Sequence, residues 1–315
     1  MQKSSAQTVL NNKRSNRRDI VRNIKKHKFY YLMFLPVFVS VFIFKYIPML
    51  GVRYAFYDFT PFKKEFIGLD NFKDLFVGIS SDRFWMAFRN TIFLSLSNIL
   101  LGIVFCVTFA LLLNEIYNAK VKRLVQTIIY LPHFLSWVVV ASIFNIILSP
   151  QGGFVNNILQ QFGIEPIYFL ADKKWWVPIF LMIYRWKETG WGTIIYLAAL
   201  TSIDPQLYEA AEIDGAGRWR QTIHITVPLL IPTILVVFVL DIGKILNIFE
   251  PVFVLYNDMV YDVADVIGTY SYRIGMRQAN YGLGTAIGLF KSVIGMVLVL
   301  ITNRYSKRIK GSSIL

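Results

Sequence analysis

Glu209-Ala210-Ala211-Glu212-Ile213-Asp214-Gly215-Ala216, running on to Ile225 and Pro228, is a polar stretch set between two long apolar runs. Asp204-Pro205 just ahead of it is a helix start: Asp at the N-cap accepts a backbone N–H, and Pro at the first helical position loses no hydrogen bond. A short helix through Ile213 puts Tyr208 and Ala211 on one face, with Glu209 and Glu212 three apart on a neighbouring strip. Ala210 and Ala211 are small enough to let another surface come close. Gly215 tolerates positive φ and lets the chain turn, after which a second helix, Arg218 to Thr226, leads into the span opened by Pro228. The segment reads as a handle lying across the membrane surface and joined stiffly to a transmembrane helix. The plainer alternative is a solvated loop with one helical turn.

Outward from the handle, the chain is a membrane protein. Of its 315 residues 55% are hydrophobic and 17% charged, against about 45–50% and about 25% in soluble domains. The apolar residues gather in runs long enough for a bilayer core of about 30 Å, which takes about 20 helical residues. Six spans are expected: Phe29–Ile47, Thr91–Leu113, Leu124–Leu148, Trp176–Leu200, Pro228–Ile248 and Leu283–Ile301. The fourth is expected to be broken by Arg185-Trp186-Lys187-Glu188 and by Gly190 and Gly192. Between the first two lies a polar, aromatic-rich segment, 49–89, whose Pro61, Gly68 and Asp70 mark turns. The fold class is therefore all-α, with residues 1–28 a basic arm, 29–303 the membrane domain with the handle loop at 201–227, and 304–315 a basic tail.

The net charge of +14 does not point to nucleic acid. Residues 1–28 hold nine Lys/Arg against one acid, and Arg304, Lys307, Arg308 and Lys310 close the chain. Basic ends beside apolar runs follow the positive-inside rule. Both termini, the basic 114–123 loop and the handle then share the cytoplasmic side.

Lone Cys106, mid-span, excludes an intrachain disulfide and fits a small packing residue. His27, His133 and His224 lack metal-ligand spacing. Lys291-Ser292 after Gly288 misses the phosphate-loop pattern, and Gly284, Gly288, Ser292 and Gly295 form a small-residue stripe for helix packing. No nucleophile–base set is present. Charges inside apolar spans normally face a cavity or a partner, so Tyr184, Arg185, Trp186, Glu188, Asp241, Lys244, Asn247 and Glu250 are candidates to line a hydrated passage. Asp241 and Lys244, three apart, fit an internal ion pair equally well.

Glu209-Ala210-Ala211, Asp214-Gly215-Ala216, Ile225 and Pro228 resemble, in residue and spacing, the EAA motif of type I ABC-importer permeases; Val227 departs from the commoner Leu. The likeness continues through Phe66-Ile67-Gly68-Leu69-Asp70-Asn71-Phe72, Asn90-Thr91, Tyr130-Leu131-Pro132-His133-Phe134, Ser136-Trp137-Val138-Val139, Trp191 to Leu200 and Ala286 to Ser292. These stretches resemble the branch importing oligosaccharides from plant or uronate-containing polysaccharides. The resemblance implies a six-span permease in a bacterial cell membrane whose coupling helix docks on an ATPase through Tyr208, Glu209, Ala210, Ala211, Asp214, Gly215, Ala216 and Pro228. It also implies a second, non-identical permease, a cytoplasmic ATPase dimer that holds ATP and Mg, an extracellular solute-binding protein and surrounding lipid. No cofactor belongs to this chain. A same-family permease for another solute would answer to a different loaded binding protein. A membrane enzyme would be active alone, and an ion-coupled carrier would fail under a protonophore.

Overall fold

The computed structural model describes residues 26–310. Residues 1–25, most of the basic arm, and 311–315, the end of the tail, lie outside the described residues. The chain divides into two units, 1–54 and 55–315.

In the first unit, helix α1 (Lys28–Val41) continues through a π turn, Phe42–Tyr46. Phe34, Phe38, Phe42 and Tyr46 follow one another at four-residue spacing with ring centroids 6.0–6.3 Å apart, the one-face ladder that helical periodicity dictates.

The second unit opens with a hairpin, β1 (Tyr57–Thr60) and β2 (Lys63–Phe66), turning at Pro61-Phe62 with Thr60 opposite Lys63. This hairpin lies where only turns were expected. Asp58 and Glu65 both hydrogen-bond the Lys63 ammonium and push its pKa up to about 12. Helix α2 (Asp70–Val77) follows, and its Asn71 ties back to Ala55 O and Tyr57 O, both at 2.9 Å.

Helices α3 (Ser81–Asn114) and α7 (Lys173–Leu200) are the long central pair. They run parallel. Leu94 of α3 shares a core with Trp176 and Phe180 near the start of α7, while Ala110 and Leu113 pack with Tyr196, Leu197 and Leu200 at its end. Trp176, expected in an interfacial belt, is wholly buried and donates to Leu255 O at 3.1 Å. Helix α7 is also continuous, not broken at 185–192. Its glycines serve close approach instead: a Cβ at Gly190 would strike the Ile129 carbonyl, and one at Gly192 would sit 2.6 Å from Cys106 Sγ.

The third span is not one straight helix. Helix α4 (Ala119–Tyr130) passes into a 3-10 turn, Leu131–Phe134, and α5 (Trp137–Ile147) leaves at 100°. Pro132 brings no N–H to the elbow, and extended Ser136 restarts the helix by accepting Val139 N–H at 3.3 Å. Helix α6 (Phe154–Gln161) then anchors the chain through Asn156, which is wholly buried. The Asn156 amide donates to Leu148 O, Ser149 O and Ile167 O, and its oxygen accepts Ile167 N–H at 2.8 Å. An unsatisfied buried backbone group costs about 1–3 kcal/mol, so Asn156→Ala is expected to destabilise the protein by about 3 kcal/mol or more. A thermal-unfolding midpoint equal to that of the native protein would contradict this.

Beyond α7 come the handle, α8 (Gln206–Ile213) and α9 (Arg218–Gln221), then α10 (Val227–Ile242). Helix α10 ends at Ile242, short of the expected Ile248, and turns occupy residues 243–246. Short helices α11 (Glu250–Leu255), α12 (Tyr261–Ala264) and α13 (Ile267–Tyr272) follow, unforeseen in the sequence, before α14 (Tyr281–Lys310). Asn90 and Thr91 of α3 pin this segment. Asn90 donates to Asp262 O and Asp265 O, and Thr91 Oγ1 accepts Ile267 N–H at 2.8 Å. Buried Asp265 pairs with Arg273, so neither charge lacks a partner.

Four described stretches have the length and apolarity of a span: Lys28–Phe56, Ser81–Asn114, Arg218–Ile242 and Tyr281–Thr302. The α4–α5 pair makes a fifth if its two arms count as one. Helix α7 has 28 residues, ample length at about 1.5 Å each, but carries Lys173, Lys174, Arg185, Lys187 and Glu188. In the second unit the hairpin and the starts of α3, α7 and α14 gather at one end. Tyr281 of α14 meets Phe59 of the hairpin at 5.4 Å. The handle lies at the opposite end.

Candidate functional site: a surface handle and a cavity between spans

The handle is fixed by local chemistry. Asp204 Oδ1 accepts Gln206 N–H at 3.0 Å and caps α8. At the other end Gly215 takes φ 76°; its N–H reaches Glu212 O at 3.0 Å and Ala216 N–H reaches Ala211 O at 2.8 Å. That pair of bonds is the Schellman closure, which needs a left-handed residue just past the helix. Tyr208 OH bonds Thr226 Oγ1 at 2.9 Å, and buried Thr226 adjoins the start of α10. Gln221 Nε2 holds Ala216 O at 3.0 Å, and Arg218 reaches Glu115 beyond α3 at 3.5 Å. The short helix is thus braced against the span it precedes. Glu209, Ala210, Asp214 and Pro228 are exposed, and Ala211 and Ala216 half-buried. Two apolar side chains not singled out in the sequence, Ile213 and Trp219, are 88% and 75% exposed beside them.

Between α3, α7 and α10 lies a cavity of about 540 Å³. Of the sequence candidates, Tyr184, Arg185, Glu188, Asp241, Lys244 and Asn247 line it. Trp186 and Glu250 lie outside that wall. Trp186 packs edge-on to Phe144 at 5.4 Å on another side of α7, and Glu250 starts α11 in an exposed position. Asp241 and Lys244 do not form the expected ion pair; both face the cavity, and no contact within 4 Å joins them.

Sequence reasoning missed the α3 wall. Ser95, Asn98, Gly102 and Cys106 recur at spacings of three and four and present one helical face. Small and polar residues at that period inside an apolar run were the available signal. Gly102 makes room for the Arg185 guanidinium, which a Cβ there would strike. His133, read as a lone polar residue, sits on the wall from the α4–α5 elbow. Its Nδ1 bonds Glu188 Oε2 at 2.9 Å, and its ring stacks on Trp191 with centroids 4.7 Å apart and planes 6° apart. Lys187, 4% exposed, donates to His133 O at 2.8 Å and pairs with Glu188 Oε1 at 3.2 Å. Among the described residues no group of three His, Cys, Asp or Glu could hold a metal.

Known proteins share this arrangement. Residues 98–311 match the family described as binding-protein-dependent transport system inner membrane component. The polygalacturonan/rhamnogalacturonan transport system permease protein YteP of Bacillus subtilis is 41% identical over 94% of this chain and 93% of its own. Protein LplB of the same organism is 42% identical over 90% of each. A solved permease chain from a bacterial ABC transporter that imports the acidic polysaccharide alginate superposes with a TM-score of 0.85 at 42% identity, covering 92% of this chain and 99% of that one. The same transporter has been solved with a periplasmic protein bound to an alginate pentasaccharide. A spanning bundle with a braced surface handle, matched in sequence from the second span onward and in structure nearly end to end, leaves one conclusion: the chain is a type I ABC-importer permease belonging to the binding-protein-dependent transport system inner membrane component family.

Proposed function

We propose that this permease pairs with a second, non-identical permease to pass acidic oligosaccharides, delivered outside by a solute-binding protein, into the cell. Residues 29–303 form the membrane domain, with both termini and the handle in the cytoplasm, as the basic ends favour. Two separate ATPase subunits hold ATP and Mg and grip α8 through Glu209, the small Ala210 and Ala211, and the exposed Ile213. Closure of the ATPases pushes α8; Tyr208–Thr226 carries the push into α10; the spans rock and the passage opens outward. Release of sugar from the binding protein into the passage precedes hydrolysis, which restores the inward-facing state.

The observation that carries the acidic-sugar reading is Arg185. It lines the cavity with its Nε buried and unpartnered, whereas both oxygens of Glu188 are taken by His133 and Lys187. A uronate carboxylate entering the cavity meets an available guanidinium and a neutralised glutamate. The relatives that handle polygalacturonan and alginate agree with this charge balance. A hydrogen bond to a charged group contributes about 1.5–3 kcal/mol, so Arg185→Ala is expected to cut uptake of acidic oligosaccharides by about tenfold or more. Neutral oligosaccharides should lose far less. Binding-protein-stimulated ATPase and uptake in reconstituted vesicles, compared for oligogalacturonate and a neutral oligosaccharide, tests this. Equal losses for both sugars, or stimulation only by a protein loaded with a non-carbohydrate solute, would overturn it.

A further inference from the structure

The cavity wall is built more elaborately than passage alone requires. Among the described residues, six buried side-chain polar atoms lack a hydrogen-bond partner, and four of them face this cavity: Ser95 Oγ, Asn98 Oδ1, Arg185 Nε and Tyr196 OH. Native structures satisfy nearly all buried polar groups, and each orphan costs about 1–3 kcal/mol. Four gathered on one wall define a surface made for a polar partner. The set mixes a cationic donor, a pure acceptor and two hydroxyls that do either, which suits a molecule rich in hydroxyls and carrying a carboxylate. It suits neither a bare cation nor an acyl chain.

The same wall holds an aromatic platform. Trp191 lies flat against His133, whose imidazole is fixed by Glu188, itself fixed by Lys187. A rigid aromatic pair beside unpartnered donors and acceptors is the usual furniture of a saccharide site, because a pyranose has an apolar C–H face and a polar rim. The volume, about 540 Å³, falls within the about 300–1,000 Å³ typical of small-ligand sites.

We infer that the permease itself contains a saccharide-binding site, in which Trp191 supports the sugar face, Asn98, Ser95 and Tyr196 hydrogen-bond its hydroxyls, and Arg185 takes the uronate carboxylate. The inference rests on the transport reading above and deepens it: sugar is held at a fixed station within the membrane, independently of the binding protein. Asp241 and Lys244 complete the charged wall and offset one another.

The test uses the whole transporter, both permeases and both ATPases, without binding protein or nucleotide. Digalacturonate is titrated calorimetrically, with cellobiose as the neutral comparison. Saturable digalacturonate binding is expected, with cellobiose weaker by about tenfold, the loss of one charged hydrogen bond. Trp191→Ala is expected to weaken binding about tenfold, from the lost stacking surface. Tyr196→Phe, which removes one hydroxyl and little else, should weaken it about threefold and answers the question if the tryptophan variant fails to assemble. Trp186→Ala, on another side of α7, should bind as the native complex does. Absence of saturable binding in a preparation that still takes up oligogalacturonate overturns the site and spares the transport reading. Absence of uptake, with binding protein and ATP supplied, overturns the transport reading itself. Equal weakening by Trp186→Ala and Trp191→Ala also overturns the site.

Discussion

Gly215→Val is expected to lower ATP-driven uptake about tenfold while the transporter still inserts and assembles. The effect is conformational. Gly215 sits at φ 76°, and a Cβ placed there meets nothing within 4 Å, so no clash is involved. An L-residue in the left-handed region costs about 1–2 kcal/mol, and a β-branched one fares worst there. One or two kcal/mol is about a 5–30-fold shift in an equilibrium, here against the closed Schellman turn that keeps α8 lying where Tyr208 can reach Thr226. ATP hydrolysis should continue, because its chemistry lies in another subunit; what fails is its conversion into uptake. Gly215→Asn provides the decisive contrast, since asparagine tolerates this conformation. Near-native uptake with Asn and a severe defect with Val is the expected pattern. Native uptake with Val would remove the handle from the mechanism.

Lys187→Met should be the most destabilising single change in the cavity wall. Lys187 satisfies the His133 carbonyl left open at the α4–α5 elbow, neutralises Glu188 and lies over the Trp137 ring at 5.2 Å. Removing one partner of a buried ion pair costs about 3–5 kcal/mol, whereas removing both with apolar replacements is often near neutral. Lys187→Met is thus expected to lower the unfolding temperature sharply, and the double change Lys187→Met/Glu188→Met to recover part of the loss. Lys174→Met, at an exposed position on the same helix, is the control. If the two single variants melted alike, the elbow would not depend on this rivet.

The parts of the molecule legible in the sequence are those set by short-range chemistry. Asp204-Pro205 announces a helix start and Gly215 its end within a dozen residues, and hydropathy alone places α3 and α14. The elbow was hidden because its apolar run is unbroken from Leu135 through Ile147, save Ser136, Ser142 and Asn145, so hydropathy registers no change of direction. Segment 250–280 was hidden for the opposite reason. Its helices are too short to show a period, and its stability comes from Asn90 and Thr91, which lie more than 170 residues away in the chain. The glycines of α7 looked like breakers because a single chain cannot reveal that Ile129 and Cys106 press against them. The cavity suffered similarly: its α7 candidates stood out by charge, while Ser95 and Asn98 gained meaning only once α3 lay alongside.

Between α9 and α10 the helix passes through one π turn, Thr222–Thr226. Such a turn houses a residue more than an α-helical turn needs. Excising that surplus residue would leave Asp241 and every later side chain aimed as before. Its contribution is therefore compliance rather than direction: a washer in the drive shaft, letting torsion relax where the cytoplasmic rod meets the lipid boundary.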